Sequence, residues 1–181
     1  VTMNGTLDLS VTVMPSGEMP HWLPKIGLQM ELPRMFGNLT WYGRGPQENY
    51  PDRKTGYKVG LYESTVEEEY IPYLIPQDYG NKTDVRWVTL TNDEQFGLLV
   101  QSERPFQTGT FIYAPDNITR AAYPFQLRES DAITLNIDHT VSGVGGSSIS
   151  VLNKYRLLPD TYSFSVTLSP VKSKHQRSNA L

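Results

Sequence analysis

The sequence contains no cysteine among its 181 residues. Disulfide bridges, thiol nucleophiles and cysteine-based zinc sites are therefore excluded. No apolar run approaches the length that crosses a bilayer, which argues against a membrane protein, and no signal peptide is recognisable. These absences describe a soluble chain that depends on an ordinary hydrophobic core.

An excess of positive charge is also lacking. The chain has 16 basic and 19 acidic residues, so its formal net charge is −3. A nucleic-acid binder usually carries a basic patch and a high isoelectric point, and we therefore expect no nucleic-acid partner. The one basic cluster, at 172–177, follows the last apolar run and is typical of a solvated tail.

Histidine is scarce, with only His21, His139 and His175. No two of them have metal-ligand spacing, and no H-E-x-x-H motif occurs, so we expect no metal site. A G-x-S-x-G nucleophile elbow is missing too, which leaves a serine hydrolase without support. Nothing in the sequence calls for a cofactor.

Helical periodicity is almost absent, and a period of two takes its place. Apolar and polar residues alternate over 7–13, 26–32, 133–138 and 162–168, which is typical of half-buried strands. Shorter runs at 85–91, 96–101, 109–113 and 149–155 predict further strands. The pattern predicts an all-β fold, a large antiparallel β-sandwich.

Turn residues separate the predicted strands. Asn92 and Asp93 stand between two of the short runs and predict a hairpin. The segment 69–80 mixes Pro, Tyr and Ile and is predicted to be extended. We expect one domain over 1–168 and a polar, basic tail over 169–181.

The densest motif is Trp41-Tyr42-Gly43-Arg44-Gly45-Pro46-Gln47-Glu48-Asn49-Tyr50-Pro51-Asp52-Arg53. Glycine permits unusual backbone angles and proline fixes φ, so this mixture predicts a loop held in one shape. Glu48 and Asp52 resemble the paired carboxyls of a glycosidase. Ion pairs with Arg44 and Arg53, together with backbone hydrogen bonds, are the better interpretation of these carboxyls.

A second glycine-rich stretch is Gly143-Val144-Gly145-Gly146-Ser147-Ser148. A phosphate-binding loop would need a helix after it, whereas the next run, 149–155, predicts a strand. We expect a loop of special conformation between two strands. It remains a candidate for lining a ligand site.

Tryptophan next to charge is a recurrent sugar-binding arrangement, and Asp84-Val85-Arg86-Trp87 opens a predicted strand in this way. A single tryptophan in a strand belongs to the core more often. Trp22 and Trp41 allow the same two interpretations.

Taken together, these motifs resemble the C-terminal, small-chain domain of β-galactosidases of glycoside hydrolase family two. The 41–53 motif carries the resemblance, and Tyr70-Ile71-Pro72-Tyr73, Asp84-Val85-Arg86-Trp87 and Leu135-Asn136-Ile137-Asp138 extend it. It covers the chain from about Thr6 to Leu168. It implies a β-supersandwich like that of galactose mutarotases. The 41–53 loop would then be a structural signature through Trp41, Gly43, Gly45, Pro46, Glu48, Asn49, Tyr50, Asp52 and Arg53.

The resemblance also implies a function. The parent enzyme hydrolyses terminal β-D-galactosides with two glutamates of a separate (β/α)₈ barrel, which takes about 250 residues and does not fit in this chain. No catalytic residue is therefore expected here. The domain would pack on the barrel and border the substrate entrance, with the remaining domains and a galactoside as partners. The resemblance leaves open whether the parent enzyme is a homo-oligomer. It also leaves open whether the enzyme lies in the cytoplasm or the periplasm of a bacterium.

One loop departs from the family pattern. Relatives carry a substrate-stacking Trp after the glycine turn, in a pattern like G-G-D-x-S-W, whereas this chain has Gly145-Gly146-Ser147-Ser148-Ile149-Ser150. The candidate substrate-facing residues are His139, Gly145, Gly146, Ser147, Ser148, Ser150, Arg86 and Trp87.

Two alternatives remain at this point. The first is a carbohydrate-binding module that uses exposed Trp41, Trp87 and tyrosine residues as its platform. The second is a mutarotase-type epimerase that pairs His139 with Glu48 or Asp138.

Overall fold

A computed structural model describes residues 2–146 and 150–172. The fold consists mainly of eight strands, β1 to β8 in chain order. Their bounds are Leu7–Val13, Lys25–Pro33, Asn38–Gly45, Lys58–Thr65, Lys82–Thr91, Gly97–Tyr113, Glu129–Val141 and Tyr162–Val171. The prediction of an all-β fold is confirmed.

All the strand pairings are antiparallel and join the eight strands into one sheet. Six strands follow the order β1-β8-β6-β5-β3-β4, while β7 pairs with β6 and β2 pairs with β7. The 17-residue strand β6 connects the two parts, because Gly97–Gln101 pairs with β5 and β8 whereas Gln107–Tyr113 pairs with β7. The sheet thus folds over on itself as a sandwich-like structure.

The main core lies between the two parts of this sheet. Ile133, Leu135 and Ile137 of β7 pack in one buried cluster with Leu39 and Val88 of the other part. These positions are two residues apart along β7, as expected for one face of a strand. The intervening Thr134, Asn136 and Asp138 lie on the opposite face and are buried as well.

A second apolar cluster lies against β6. Phe111 packs there with Tyr79 and Ile118, and Tyr70 joins them through edge-to-face ring contacts. Tyr79 belongs to the extended segment predicted over 69–80, and Ile118 belongs to the helix described next. This segment and the helix therefore cover part of one outer face of the sheet.

Two local predictions are corrected by the structure. A short helix, α1, spans Pro115–Arg120, where the sequence showed no helical period. The predicted strand over 149–155 is wrong within its described part, because Asn153–Tyr155 forms a 3₁₀ turn. Burial does not alternate along this segment, because Val151 is buried whereas the next three residues, 152–154, are all exposed.

The ends of the domain lie side by side. Strand β1 pairs along its whole length with β8, from Leu7 opposite Leu168 to Val13 opposite Tyr162. Strand β8 continues past Leu168 to Val171, which pairs with Gly97. The tail beyond Lys172 lies outside the described residues. No helix in the described part of the chain is long and apolar enough to cross a bilayer.

Candidate functional site

The 41–53 motif begins in β3 and continues as a loop toward β4. Trp41 is 1% exposed, its indole Nε1–H donates to the backbone oxygen of Arg44 at 3.0 Å, and its ring stacks on Tyr62 at 5.4 Å. A Cβ on Gly45 would lie 2.8 Å from the Tyr62 ring and 2.9 Å from Trp41. Glycine is therefore the residue that lets the loop cross these two rings.

Asn49 is the most deeply buried polar residue of the loop, with 0% exposure. Its Nδ2 donates to the backbone oxygens of Arg44 and Gln47, and its Oδ1 accepts from the backbone N–H of Thr83 at 2.9 Å. Its backbone exchanges two hydrogen bonds with Asn81, at 2.7 and 2.8 Å. A buried amide with both ends satisfied fixes one backbone path, which explains an asparagine here.

Glu48 is buried beside Asn49, and both of its carboxylate oxygens are engaged. Oε1 accepts hydrogen bonds from Arg53 and from the Tyr73 hydroxyl, and Oε2 accepts from the backbone N–H of Gly80 at 2.9 Å. Burial and the hydrogen bond to Glu48 raise the pKa of Tyr73, so this phenol stays protonated as a donor. The guanidinium of Arg53 also lies 4.8 Å from the Tyr50 ring centroid.

Asp52 connects the loop to the glycine-rich stretch. The backbone N–H of Val144 donates to Oδ1 at 3.2 Å, and that of Gly145 donates to Oδ2 at 2.8 Å. Gly145 has φ +64°, and a Cβ on Gly143 would lie 2.6 Å from the Asp52 carboxylate. Successive N–H groups around a left-handed residue form a concave anion site, and here the anion is a side chain of the same domain.

Arg44 makes its contacts with Asp84 of β5 and with the chain that follows the loop. It donates to Asp84 and, through Nη1, to the backbone oxygen of Tyr57 at 2.6 Å, while Lys54 pairs with Asp84 at 2.9 Å. Burial works against the ionised form of Asp84, but the hydrogen bonds from Arg44 and Lys54 outweigh it and lower the pKa of Asp84. Arg44 therefore pairs with Asp84, and Arg53 pairs with Glu48.

A buried ion pair underlies the motif and was missed at the sequence level. Lys82 is 2% exposed, pairs with Glu69, and lies 5.0 Å from the ring centroid of Trp41. Glu69 belongs to a Glu67-Glu68-Glu69 run that resembles a solvated turn, and Lys82 stands at the start of a strand. No signal for the pair was available in the sequence, because β5 also contains Asp84 and Arg86 and Lys82 does not stand out among them.

The candidates on β5 do not offer a free aromatic surface. Trp87 is 2% exposed and packs against Leu99, Val171 and Tyr42. Arg86 lies 5.7 Å from the Tyr42 ring centroid and donates to the backbone oxygen of Asp84. Because Trp41 and Trp87 are both buried, the exposed stacking platform of the binding-module alternative is not formed by these residues.

The remaining candidates are dispersed. His139 stacks on Phe164 at 5.0 Å with an interplanar angle of 5°, and burial together with Arg104 lowers the pKa of His139. Gly145 is bound to Asp52, and within residues 2–146 and 150–172 no atom would lie within 4 Å of a Cβ on Gly146. Ser150 accepts a hydrogen bond from Arg156 at 3.2 Å. Ser147 and Ser148 lie outside the described residues.

The side chains of the 41–53 motif serve to hold the loop in one conformation. The oxygens of Glu48 and Asp52 are occupied as acceptors of hydrogen bonds within the domain, which suits structural carboxyls rather than an acid and a nucleophile flanking a sugar bond. Within residues 2–146 and 150–172, no three His, Asp or Glu side chains gather as metal ligands.

Fold and loop together define a class: an all-β, sandwich-like domain organised around an internally bonded Gly-Pro loop. The family model described as the β-galactosidase small chain matches residues 1–168. The chain belongs to this family.

Curated relatives give the same result. The chain is 41% identical over 143 residues to a β-galactosidase of Priestia megaterium, covering 79% of this chain and 14% of that protein. It is 35% identical over 173 residues to a β-galactosidase of Vibrio cholerae, covering 94% of this chain and 16% of that protein. A β-galactosidase of Photobacterium profundum is 33% identical over 171 residues, with 92% and 16% covered. The chain thus spans about one sixth of the length of these relatives.

Proposed function

We propose that this chain is the non-catalytic C-terminal domain of a β-galactosidase, whose other domains hydrolyse terminal β-D-galactosides. The small share of each relative that the chain covers supports this assignment. The engaged carboxylates of Glu48 and Asp52 support it as well. In this arrangement the domain packs against the remaining domains of the parent enzyme.

The domain contributes to catalysis by shaping the border of the substrate entrance. The observation that carries this proposal is the bidentate contact of Asp52 with the N–H groups of Val144 and Gly145. Through it the rigid 41–53 loop holds the glycine turn, and residues 147–150 follow that turn directly. In this family the segment after the glycine turn is the one expected to face substrate.

The first experiment compares the isolated chain with its parent enzyme on a chromogenic β-galactoside. The parent hydrolyses the substrate and the isolated chain does not. A parent truncated before this domain loses activity and regains part of it when the purified chain is added. Hydrolysis by the isolated chain would overturn the non-catalytic assignment.

The second experiment tests the entrance. Asp52→Asn in the parent enzyme replaces one acceptor oxygen by an NH₂ group that faces a backbone donor, so the glycine turn loses its anchor. We expect KM to rise more than kcat falls, because the catalytic groups lie in another domain. Asp116→Asn is the matched control, since Asp116 is 85% exposed and forms an ion pair with the similarly exposed Arg120. Unchanged kinetics in Asp52→Asn would contradict a role at the entrance.

A further inference from the structure

A small pocket lies on the outer face of β2 and β7, beside α1. Its volume is about 230 Å³, and its polar lining comprises Lys25, Gln29, Asp78, Thr119 and Asn136, with Phe111 and Ile118 among its apolar walls. Ligand pockets for drug-sized molecules measure about 300–1,000 Å³. The pocket therefore suits a smaller molecule.

The polar side chains of the pocket hold one another in place, and their net charge is close to zero. Gln29 Nε2 donates to Asn136 Oδ1 at 2.9 Å, and Lys25 pairs with Asp78 at 2.8 Å. In the described part of the chain, neither Gln29 Oε1 nor Asn136 Nδ2 has a hydrogen-bond partner. One acceptor and one donor, fixed by their mutual bond, thus remain for a ligand.

A buried carboxyl stands next to these amides. Asp138 follows Asn136 by two residues on the same face of β7, a spacing of roughly 7 Å along a strand. It is 4% exposed, and its carboxyl makes no hydrogen bond to any residue of 2–146 and 150–172. A Cβ on Gly27 would lie 2.4 Å from Asp138 Oδ1, so only glycine leaves room for this carboxyl on the neighbouring strand.

Because no described residue hydrogen-bonds to this carboxyl, its oxygens are available to a ligand. The charged groups that act on Asp138 are Lys25, which favours its ionised form, and Asp78, which opposes it. A hydroxyl group satisfies such a carboxyl in either protonation state, since it can donate or accept.

The same charges exclude other ligand classes. An anion would meet the carboxylate of Asp78, and Lys25 is already neutralised by its ion pair. A cation would meet the ammonium of Lys25. A neutral molecule with several hydroxyl groups and an apolar C–H face matches the amides, the carboxyl and the Phe111 side of the pocket.

We infer that this pocket binds a small neutral polyhydroxylated ligand of monosaccharide size. Its hydroxyl groups hydrogen-bond to the Asp138 carboxyl and to the amides of Gln29 and Asn136, while its C–H face lies toward Phe111 and Ile118. The site uses none of the 41–53 residues.

The test is an NMR titration of the full 181-residue chain with D-galactose and D-glucose at millimolar concentrations. Binding predicts saturable shifts of the side-chain amide signals of Gln29 and Asn136. The result does not depend on the hydrolysis assays above, because it measures binding to the chain itself. Absence of saturable shifts with both sugars, or saturable shifts confined to residues elsewhere, would overturn the inference.

Variants sharpen this test. Gln29 is exposed, so Gln29→Leu preserves the fold and removes one hydrogen bond, which weakens binding by about tenfold. Glu31→Leu is the matched control, an exposed position two residues along the same strand face and outside the pocket. Asp138→Asn keeps the shape of the side chain but not its charge, and it weakens binding as well. Equal affinities in all four proteins would contradict the site.

Discussion

Lys82 and Glu69 form an ion pair that is almost completely withdrawn from solvent, with the ammonium group facing the indole ring of Trp41. The pair joins the segment after β4 to the start of β5. Because both charges are buried, each depends on the other for its compensation. Through Lys82, this ion pair connects Trp41 of the 41–53 motif to the segment that precedes β5.

Breaking this pair is predicted to destabilise the domain strongly. Glu69→Gln leaves the Lys82 ammonium without its counter-charge, and removal of one partner from a buried pair costs about 3–5 kcal/mol. Urea unfolding of the purified chain measures the loss. The double variant Glu69→Leu with Lys82→Met removes both charges and is expected to recover most of the stability. A double variant less stable than Glu69→Gln would refute this account.

Gly143→Ala is predicted to loosen the contact between Asp52 and the glycine turn. The new methyl group would lie 2.6 Å from the Asp52 carboxylate and 3.0 Å from Tyr155, so one of these groups must move. Overpacking of this kind costs about 1–3 kcal/mol. Gly146→Ala is the control, since no atom of the described residues lies within 4 Å of its Cβ position. Thermal unfolding of the two variants side by side checks the prediction, and equal melting temperatures would contradict it.

The buried carboxyl of Asp138 is predicted to make the free energy of unfolding depend on pH, and the direction of the change follows from its pKa. Burial raises the pKa of Asp138 to about 7, so the folded domain retains a proton that the unfolded chain releases near pH 4. The contribution of Asp138 to the free energy of unfolding therefore falls as pH rises from about 4 to 7, by at most about 1.4 kcal/mol per pH unit. Asp138→Asn resembles the protonated form and removes this contribution.

Denaturant unfolding of the wild type and of Asp138→Asn at several pH values tests that sign. The two proteins should have similar stability near pH 4, and the variant should become the more stable one above pH 7. A difference between them that does not change across this range would show that Asp138 does not titrate in the way its burial demands.

Sequence periodicity was a good guide to the strands. The runs at 7–13, 26–32 and 162–168 fall within β1, β2 and β8, because each has one face toward the core and one toward solvent. The hairpin at Asn92 and Asp93 was also predicted correctly, and the backbone N–H of Asn92 donates to the oxygen of Phe96 at 2.8 Å. The alternation of apolar and polar residues is therefore sufficient to predict a strand when one face of that strand is exposed to solvent.

The pattern was less informative where both faces of a strand are buried or where no partner strand exists. Asn136 and Asp138 alternate with apolar residues as if they faced water, yet the structure buries them. The run at 149–155 resembles a strand, but Asn153–Tyr155 turns instead, because pairing depends on distant segments. The 41–53 motif was recognisable as a rigid loop, whereas its partners Tyr73, Gly80 and Thr83 could not be found from spacing.

The pairing of β1 with β8 has a consequence for biosynthesis. Leu7 and Leu168 are opposite each other in the register, so the first strand obtains its hydrogen-bonded neighbour only after the last one has left the ribosome. Until then β1 presents an unpaired edge, which is the feature that promotes misassembly of nascent β proteins. The domain can therefore complete its sheet only after translation of the whole segment, and any parent enzyme must wait for that step before it assembles.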